Sequence, residues 1–437
     1  MFASTILPKL SRVCPRQRLG IWRSVSLGRG ATLPIGQGGR LLLKMPKAAA
    51  TIKLTTQWVD SCKIGIRRHK VGSADLTGGD LGVSADRDYL DPLGLALVVD
   101  EVHGEVTVVH DEEKGEHGPY LIEAVIPELF SVDVSLASGS ISLARKMKGS
   151  CRIYVGEGNI EVGIIRGEDI VLSTSCGHVH VDELEGKVDI AATTDVSARL
   201  INGSQVQIAA AGAAGDEASV KIGGLYSSGA RISSTGDITV STSHGLISAH
   251  TEGSLGAVAL SSVNGAFQVY TGSTRYSSYL EDYWPRGDRL SAANAVGQGD
   301  ARIHVDALED GTSNHVRSDM GDISLSVSQE VQANIDIKGK INELPSSFEG
   351  LAEPCQAVGT IDRREIQAPN PYGSVANEGR GKIDLAGARH QSLRQYFKTS
   401  AKPNTPPTIS VSSAGGSIRM ETLSWADNIV RKFKTGH

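Results

Sequence analysis

The chain has 437 residues, of which 50 are glycine, with 5% aromatics and a formal net charge of −5. Abundant glycine and scarce aromatics fit a narrow aliphatic core, the mild charge argues neither for nor against a partner, and no stretch approaches the roughly 18 apolar residues of a membrane-crossing helix. The five cysteines (Cys14, Cys62, Cys151, Cys176, Cys355) are odd in number, widely spaced and never in CxxC form, which excludes a disulfide framework and a zinc cluster.

Residues 1–59 contain ten Lys and Arg and no Asp or Glu. Phe2, Ile6, Leu10 and Val13 would share one helical face beside Lys9, Arg12 and Arg16, the makeup of an organellar transit peptide. Residues 1–45 are therefore read as a transit peptide or disordered segment, with the mitochondrial matrix as the expected location. A plain basic tail is the alternative. The apolar runs are too short for a secretory signal.

Residues 46–130 read as an N-terminal β region. Ile52 and Leu54 alternate, as do Val106 and Val108, and the acidic run from Asp111 to His117 reads as an exposed loop. From Ser131 a regular spacing appears. Gly139, Gly158 and Gly177 lie 19 residues apart (158 − 139 and 177 − 158). Val132, Cys151 and Ile170 keep the same step, as do Val134, Ile153 and Leu172. Apolar positions in register at such a period predict an all-β, single-stranded β-solenoid of about 19 residues per coil, whose backbone groups bond to the next coil. The inward columns are Ile141/Ile160/Val179 and Leu143/Val162/Val181. Asp133/Arg152 and Glu161/His180 form outward columns of complementary charge. Glycine is expected at the corners, where φ > 0 is needed: Gly139, Gly158, Gly177, Gly236, Gly245, Gly321 and Gly416.

The main stack is placed at 131–340, with an irregularity at 203–219 and a loop insertion at 272–300. Residues 341–407 hold seven of the 15 prolines and read as a partly disordered excursion. Residues 408–437 are expected to form the final coil and a short capping helix. Ser424 is its N-cap, Asp427 stands at N3, and Trp425, Ile429, Val430 and Phe433 share a face. A weak membrane-surface contact through residues 424–434 is the second reading of that helix.

The phrase Val125-Ile126-Pro127, then Val132-Asp133-Val134 and Ser138-Gly139-Ser140-Ile141, with later copies such as Gly236-Asp237-Ile238, resembles the putative adhesin family. These are bacterial and eukaryotic domains of unknown function. The resemblance covers Val125–Ile247 well and 263–269, 319–327 and 409–420 in fragments. It implies a β-solenoid and brings no catalytic residues. Together with the basic presequence it implies the eukaryotic, mitochondrially directed branch.

Five of the 20 aromatics fall between Tyr270 and Trp284. Tyr276, Tyr279, Glu281, Asp282, Tyr283 and Trp284 are the candidate binding residues, able to stack on a sugar or anchor a partner chain. The bland reading packs these rings back on the stack. His178, His180 and Asp182 alternate along one strand without a visible third ligand, so no metal is expected. Arg286-Gly287-Asp288 is read as coincidence, and Asn202-Gly203-Ser204 is a sequon only in a secreted chain. No phosphate loop, nucleophile elbow or basic aromatic stripe is present, so no cofactor, catalytic residue or nucleic acid is expected. The function read from the sequence is a non-catalytic organellar scaffold or binding protein with protein partners. The alternatives are a carbohydrate-active or other hydrolytic enzyme using Glu281, Asp282 and Asp288, and a secreted or surface adhesion protein.

Overall fold

The computed structural model describes residues 31–34, 38–59, 61–68, 95–100, 103–110, 119–212, 217–251, 255–272, 298–329, 331, 333–343, 381–384, 406–424 and 427. Every regular element among them is a β-strand. The strands of the first part are β1 (Ala31–Pro34), β2 (Arg40–Gln57), β3 (Ser61–Arg68), β4 (Leu95–Asp100), β5 (Glu105–His110) and β6 (Tyr120–Pro127). Then come β7 (Ser131–Met147), β8 (Cys151–Glu157), β9 (Ile160–Thr174), β10 (Val179–Ala192), β11 (Val196–Gly203) and β12 (Val206–Ala210). They are followed by β13 (Val220–Ser234), β14 (Ile238–Thr251), β15 (Val258–Asn264), β16 (Phe267–Thr271), β17 (Ala301–Ala307) and β18 (Ser313–Ser318). The last are β19 (Ile323–Ser328), β20 (Asn334–Glu343), β21 (Gly381–Asp384) and β22 (Thr408–Leu423).

All 22 strands belong to one sheet. Its long part consists of two parallel ladders. In one, Val132 pairs with Cys151, then Ile170, Val188, Val206, Ala230, Ile247 and Phe267 in succession. In the other, Ile141 pairs with Ile160, Val179, Val196, Val220, Ile238, Val258, Ala301, Ile323 and Ile418. The residues that equal spacing groups together are thus hydrogen-bonded neighbours. Long strands such as β7 and β9 bend across both ladders, and β7–β8, β8–β9 and β7–β9 pairings close a ring, so the sheet is closed. Period-2 alternation turns Val, Ile and Leu to the interior, and the ladder residues from Val132 and Ile141 onward are buried.

The outward columns keep register but not always their expected ion pairs. Asp133 lies opposite Arg152, yet it is Arg40 that bonds Asp133 (2.7 Å), and Arg152 reaches diagonally to Asp169 (2.6 Å). Glu161 lies opposite His180, whose Nδ1 meets Ser197 Oγ at 2.7 Å.

Two strands break the chain order. β2 lies between β5–β6 and β7, which are otherwise consecutive: Arg40 pairs with both Glu105 and Ser131, and Ala50 with both Tyr120 and Gly139. β22 lies in the same way between β18–β19 and β20. The last strand in sequence is therefore not the last in the stack. Antiparallel strands flank both ends, with β3 on β6 and β4 on β5 at one, and β21 on β20 at the other. β2 also starts inside the segment 1–45. The capping helix falls almost wholly outside the described residues. Within them, Ser424 Oγ donates to Asp427 Oδ2 (2.6 Å), and Asp427 N donates back to Ser424 Oγ (3.2 Å).

The Asp and Asn beside the corner glycines have a purpose that the spacing alone does not reveal. At five turns leading into the second ladder a side-chain oxygen accepts the backbone N–H of its counterpart in the next paired strand: Asn159 from His178, Asp237 from Ala257, Asp300 from Asp322 and Asp322 from Ser417, each beside a glycine, and Asp195 from Ser219, where no glycine adjoins. The N–H and the hydroxyl of Ser417 hold the Asp322 carboxyl below the usual carboxylate range. A carboxyl depressed in the folded state contributes stability above its unfolded pKa, about 3.9, and loses it as pH falls through the folded value. Asp322→Asn keeps an acceptor but does not titrate. Its deficit in urea midpoint relative to the native chain is expected to shrink as pH falls from 5 to below 3. A constant deficit would show that the Ser417 bonds do not set this carboxyl.

Candidate functional site at the root of the 272–300 insertion

The segment 272–300 separates β16, which ends at Thr271, from β17, which starts at Ala301. The residues at its start follow from strand alternation. Ala249, Val269 and Val316 turn inward, so their neighbours His250, Tyr270 and Arg317, register partners on β14, β16 and β18, turn outward in a column. The rings of His250 and Tyr270 pack at 4.8 Å between centroids, tilted by 57°. Arg317 lies over the other side of Tyr270, its Cζ at 5.8 Å from the ring centroid. The phenol of Tyr270 donates to Asp319 Oδ2 at 3.2 Å, and Arg317 Nε stands 4.0 Å from Asp319 Oδ1.

Backbone bonds hold this group firmly, with Asp319 N donating to Thr271 O (3.1 Å) and Gly415 N to Asp319 O (2.9 Å). Gly272 sits at φ +154, and a Cβ there would run into the Asp319 carboxylate. Only glycine lets the chain turn away at this point. Two buried polar atoms beside it, His250 Nε2 and Thr271 Oγ1, have no hydrogen-bond partner.

Burial lowers the pKa of His250 to about 4, so its imidazole is neutral at pH 7. The unfolded chain takes up a proton near 6.5 and the folded chain only near 4, so between those values the unfolded state binds more protons. Stability then falls on acidification across that window, by up to about 1.4 kcal/mol per pH unit from this group. In His250→Gln the slope of stability against pH between 6.5 and 4 should flatten; an unchanged slope in urea titrations would contradict the assignment.

A second polar group lies on β15, β17 and β19. His304 Nδ1 meets Ser326 Oγ at 2.9 Å and its Nε2 meets Asp306 Oδ1 at 3.0 Å, while Ser262 Oγ donates to Asp306 Oδ2. Serine, histidine and aspartate are the parts of an acyl-transfer triad. Here Ser326 is 1% exposed, closed to any substrate carbonyl, so the group acts as an internal polar network.

Tyr276, Tyr279, Glu281, Asp282, Tyr283 and Trp284 lie outside the described residues, as do Asp288 and the tripeptide it ends. Tyr270 is where the structure places the start of that aromatic run. Sequence reading missed His250, Arg317 and Asp319; the outward phase of the alternation is the signal that could have found the first two. Among the described residues no three His, Cys, Asp or Glu side chains gather as metal ligands, and the imidazole of His180 meets Ser197 Oγ on the neighbouring strand. No helix among the described residues is long and apolar enough to cross a membrane.

No family model matches the chain. No curated protein matches it. Among solved structures it is similar to a putative cell adhesion protein from Clostridium sporogenes, at 8% identity and a TM-score of 0.16 over 91% of this chain and 100% of that one. A likeness at that score supports no inference about fold or function.

Proposed function

We propose that this chain is a non-catalytic β-solenoid of the putative adhesin type, serving as a scaffold or binding surface for protein partners. The observation that carries the reading is the pair of in-register parallel ladders, from Val132 to Phe267 and from Ile141 to Ile418. Along the described ladders the outer faces are regular rows of side chains in register. The insertion read from the sequence at 272–300 begins where Gly272, Tyr270 and Asp319 meet. A loop on a rigid support is the common arrangement for binding residues. Tyr276, Tyr279, Tyr283 and Trp284 supply the aromatic surface that protein interfaces favour.

Proximity labelling tests this reading in cells, using the native chain and a variant in which residues 273–297 are replaced by a short Gly/Ser linker. The native chain should label a stable set of proteins that the variant loses. Identical sets from both, equal to that of an untethered control, would overturn it. The location follows from the basic, acid-free N-terminus, and we assign the chain to the mitochondrial matrix on that basis. Residues 1–60 fused to a fluorescent reporter should concentrate in mitochondria; a diffuse cytosolic signal would remove the assignment.

A further inference from the structure

We infer that the gap between β18–β19 and β20 is a strand-acceptor site, and that a second copy of this chain can fill it with its own β22. The walls of the gap are strands that precede β22 in the chain. Its walls are Ser313–Ser328 on one side and Asn334–Glu343 on the other, joined by the short link 329–333. Both walls offer the donor strand the same register. Thr408 pairs with Ser313 and Asn334, Val411 with Val316 and Ile337, and Ile418 with Ile323 and Ile341. A strand entering there is hydrogen-bonded along both edges. It also carries Ile409, Val411, Ile418 and Met420 into the core, all at 2% exposure or less.

Many residues separate β21 from the donor strand β22. Asp384 of β21 pairs with Asn334, which pairs with Thr408, so the two ends of the connection stand two strand spacings apart, about 10 Å. Residues 385–407 are 23 in number (407 − 384) and could reach about 75 Å if extended. This tether does not constrain β22 to its own gap. A β22 from another copy makes every contact that the chain's own β22 makes, so reciprocal exchange loses no hydrogen bond and no buried side chain. The cost is association alone, set against a tether whose effective concentration is on the order of millimolar. Homotypic exchange would give the scaffold a partner built of its own surface, and it does not depend on the partners assigned above.

The test uses full-length chains in which Cys14, Cys176 and Cys355 are serine. One carries His315→Cys and the other Ser410→Cys; these positions are outward-facing register partners. The two chains bear different tags, are co-expressed in one cell and are treated with a short bis-maleimide. A crosslinked heterodimer is expected, because the two cysteines meet only when β22 of one copy lies in the gap of the other. A chain carrying both substitutions should crosslink within itself. If it does so while the mixture yields no heterodimer, exchange between copies is overturned. If the double variant fails to crosslink, the gap is not walled as described and the inference falls with it.

Discussion

A chain starting at residue 59 is expected not to fold, whereas one starting at Ala31 should unfold as cooperatively as the whole. The reason is the position of β2 inside the stack. Leu41, Leu42, Leu43, Met45, Ile52 and Leu54 are all exposed by 5% or less. Truncating one such side chain to alanine costs about 2–5 kcal/mol, so losing six, about 12–30 kcal/mol, matches or exceeds the roughly 5–15 kcal/mol by which a typical domain is stable. The backbone adds to this. β2 bonds β5 and β6 along one edge and β7 along the other, so its removal leaves two rows of buried N–H and C=O groups unpaired. Circular dichroism during thermal melting would separate the two truncations, and a folded chain lacking β2 would refute its structural role. The same argument bears on the proposed import: if a presequence is removed, the cut must fall upstream of Arg40. N-terminal sequencing of the organellar protein should find its first residue at or before that position.

The extent to which this fold can be read from sequence depends on which interactions are local. Ile141, Ile160 and Val179 are aligned by equal spacing, and they are neighbours in the ladder because each level begins where the last one ends. β22 repeats the turn phrase at 409–420 and β2 does not, but no equal spacing marks the place of either in the ladder. Their pairing partners lie far away in the chain, and Leu41-Leu42-Leu43 is an apolar run rather than an alternation. Nothing in the residues 40–57 says that they fit between the strands that end at Pro127 and the one that starts at Ser131. The choice of Asp169 rather than Asp133 by Arg152 is of the same kind, because a flexible guanidinium decides between a direct and a diagonal carboxylate only in three dimensions. At the candidate site, Tyr270 stood out as an aromatic in an aromatic-poor chain. His250 reads in sequence as one more outward polar residue, and only the Tyr270 ring and the burial beside the insertion make it a neutral, enclosed imidazole. The corner glycines were found for one reason and are needed for two. Gly139, Gly158, Gly177 and Gly245 have positive φ. At Gly236, Gly321 and Gly416 a Cβ would instead press on the backbone one level below.

Gly158 combines both constraints, and Gly158→Val should be among the most damaging single changes in the chain. Its φ is +137, a region that a β-branched residue avoids at a cost of about 1–3 kcal/mol. A Cβ there would overlap the carbonyl oxygen of Gly139, which belongs to the ladder and cannot rotate aside. Relieving that overlap forces two levels apart, at a further 1–3 kcal/mol or more, roughly the cost of overpacking a core. The N–H of Gly158, which donates to Cys176 O at 2.6 Å, would shift as well, so the strain would reach a third level. Gly229 supplies the control. It has no atom within 4 Å of a built Cβ and no unusual φ, so Gly229→Ala should change stability by less than about 0.5 kcal/mol. Urea midpoints measured on both variants decide the matter. Equal losses would mean that glycine serves only as a flexible joint in this chain. A large loss at 158 beside none at 229 would show that the corners are held by close approach between levels.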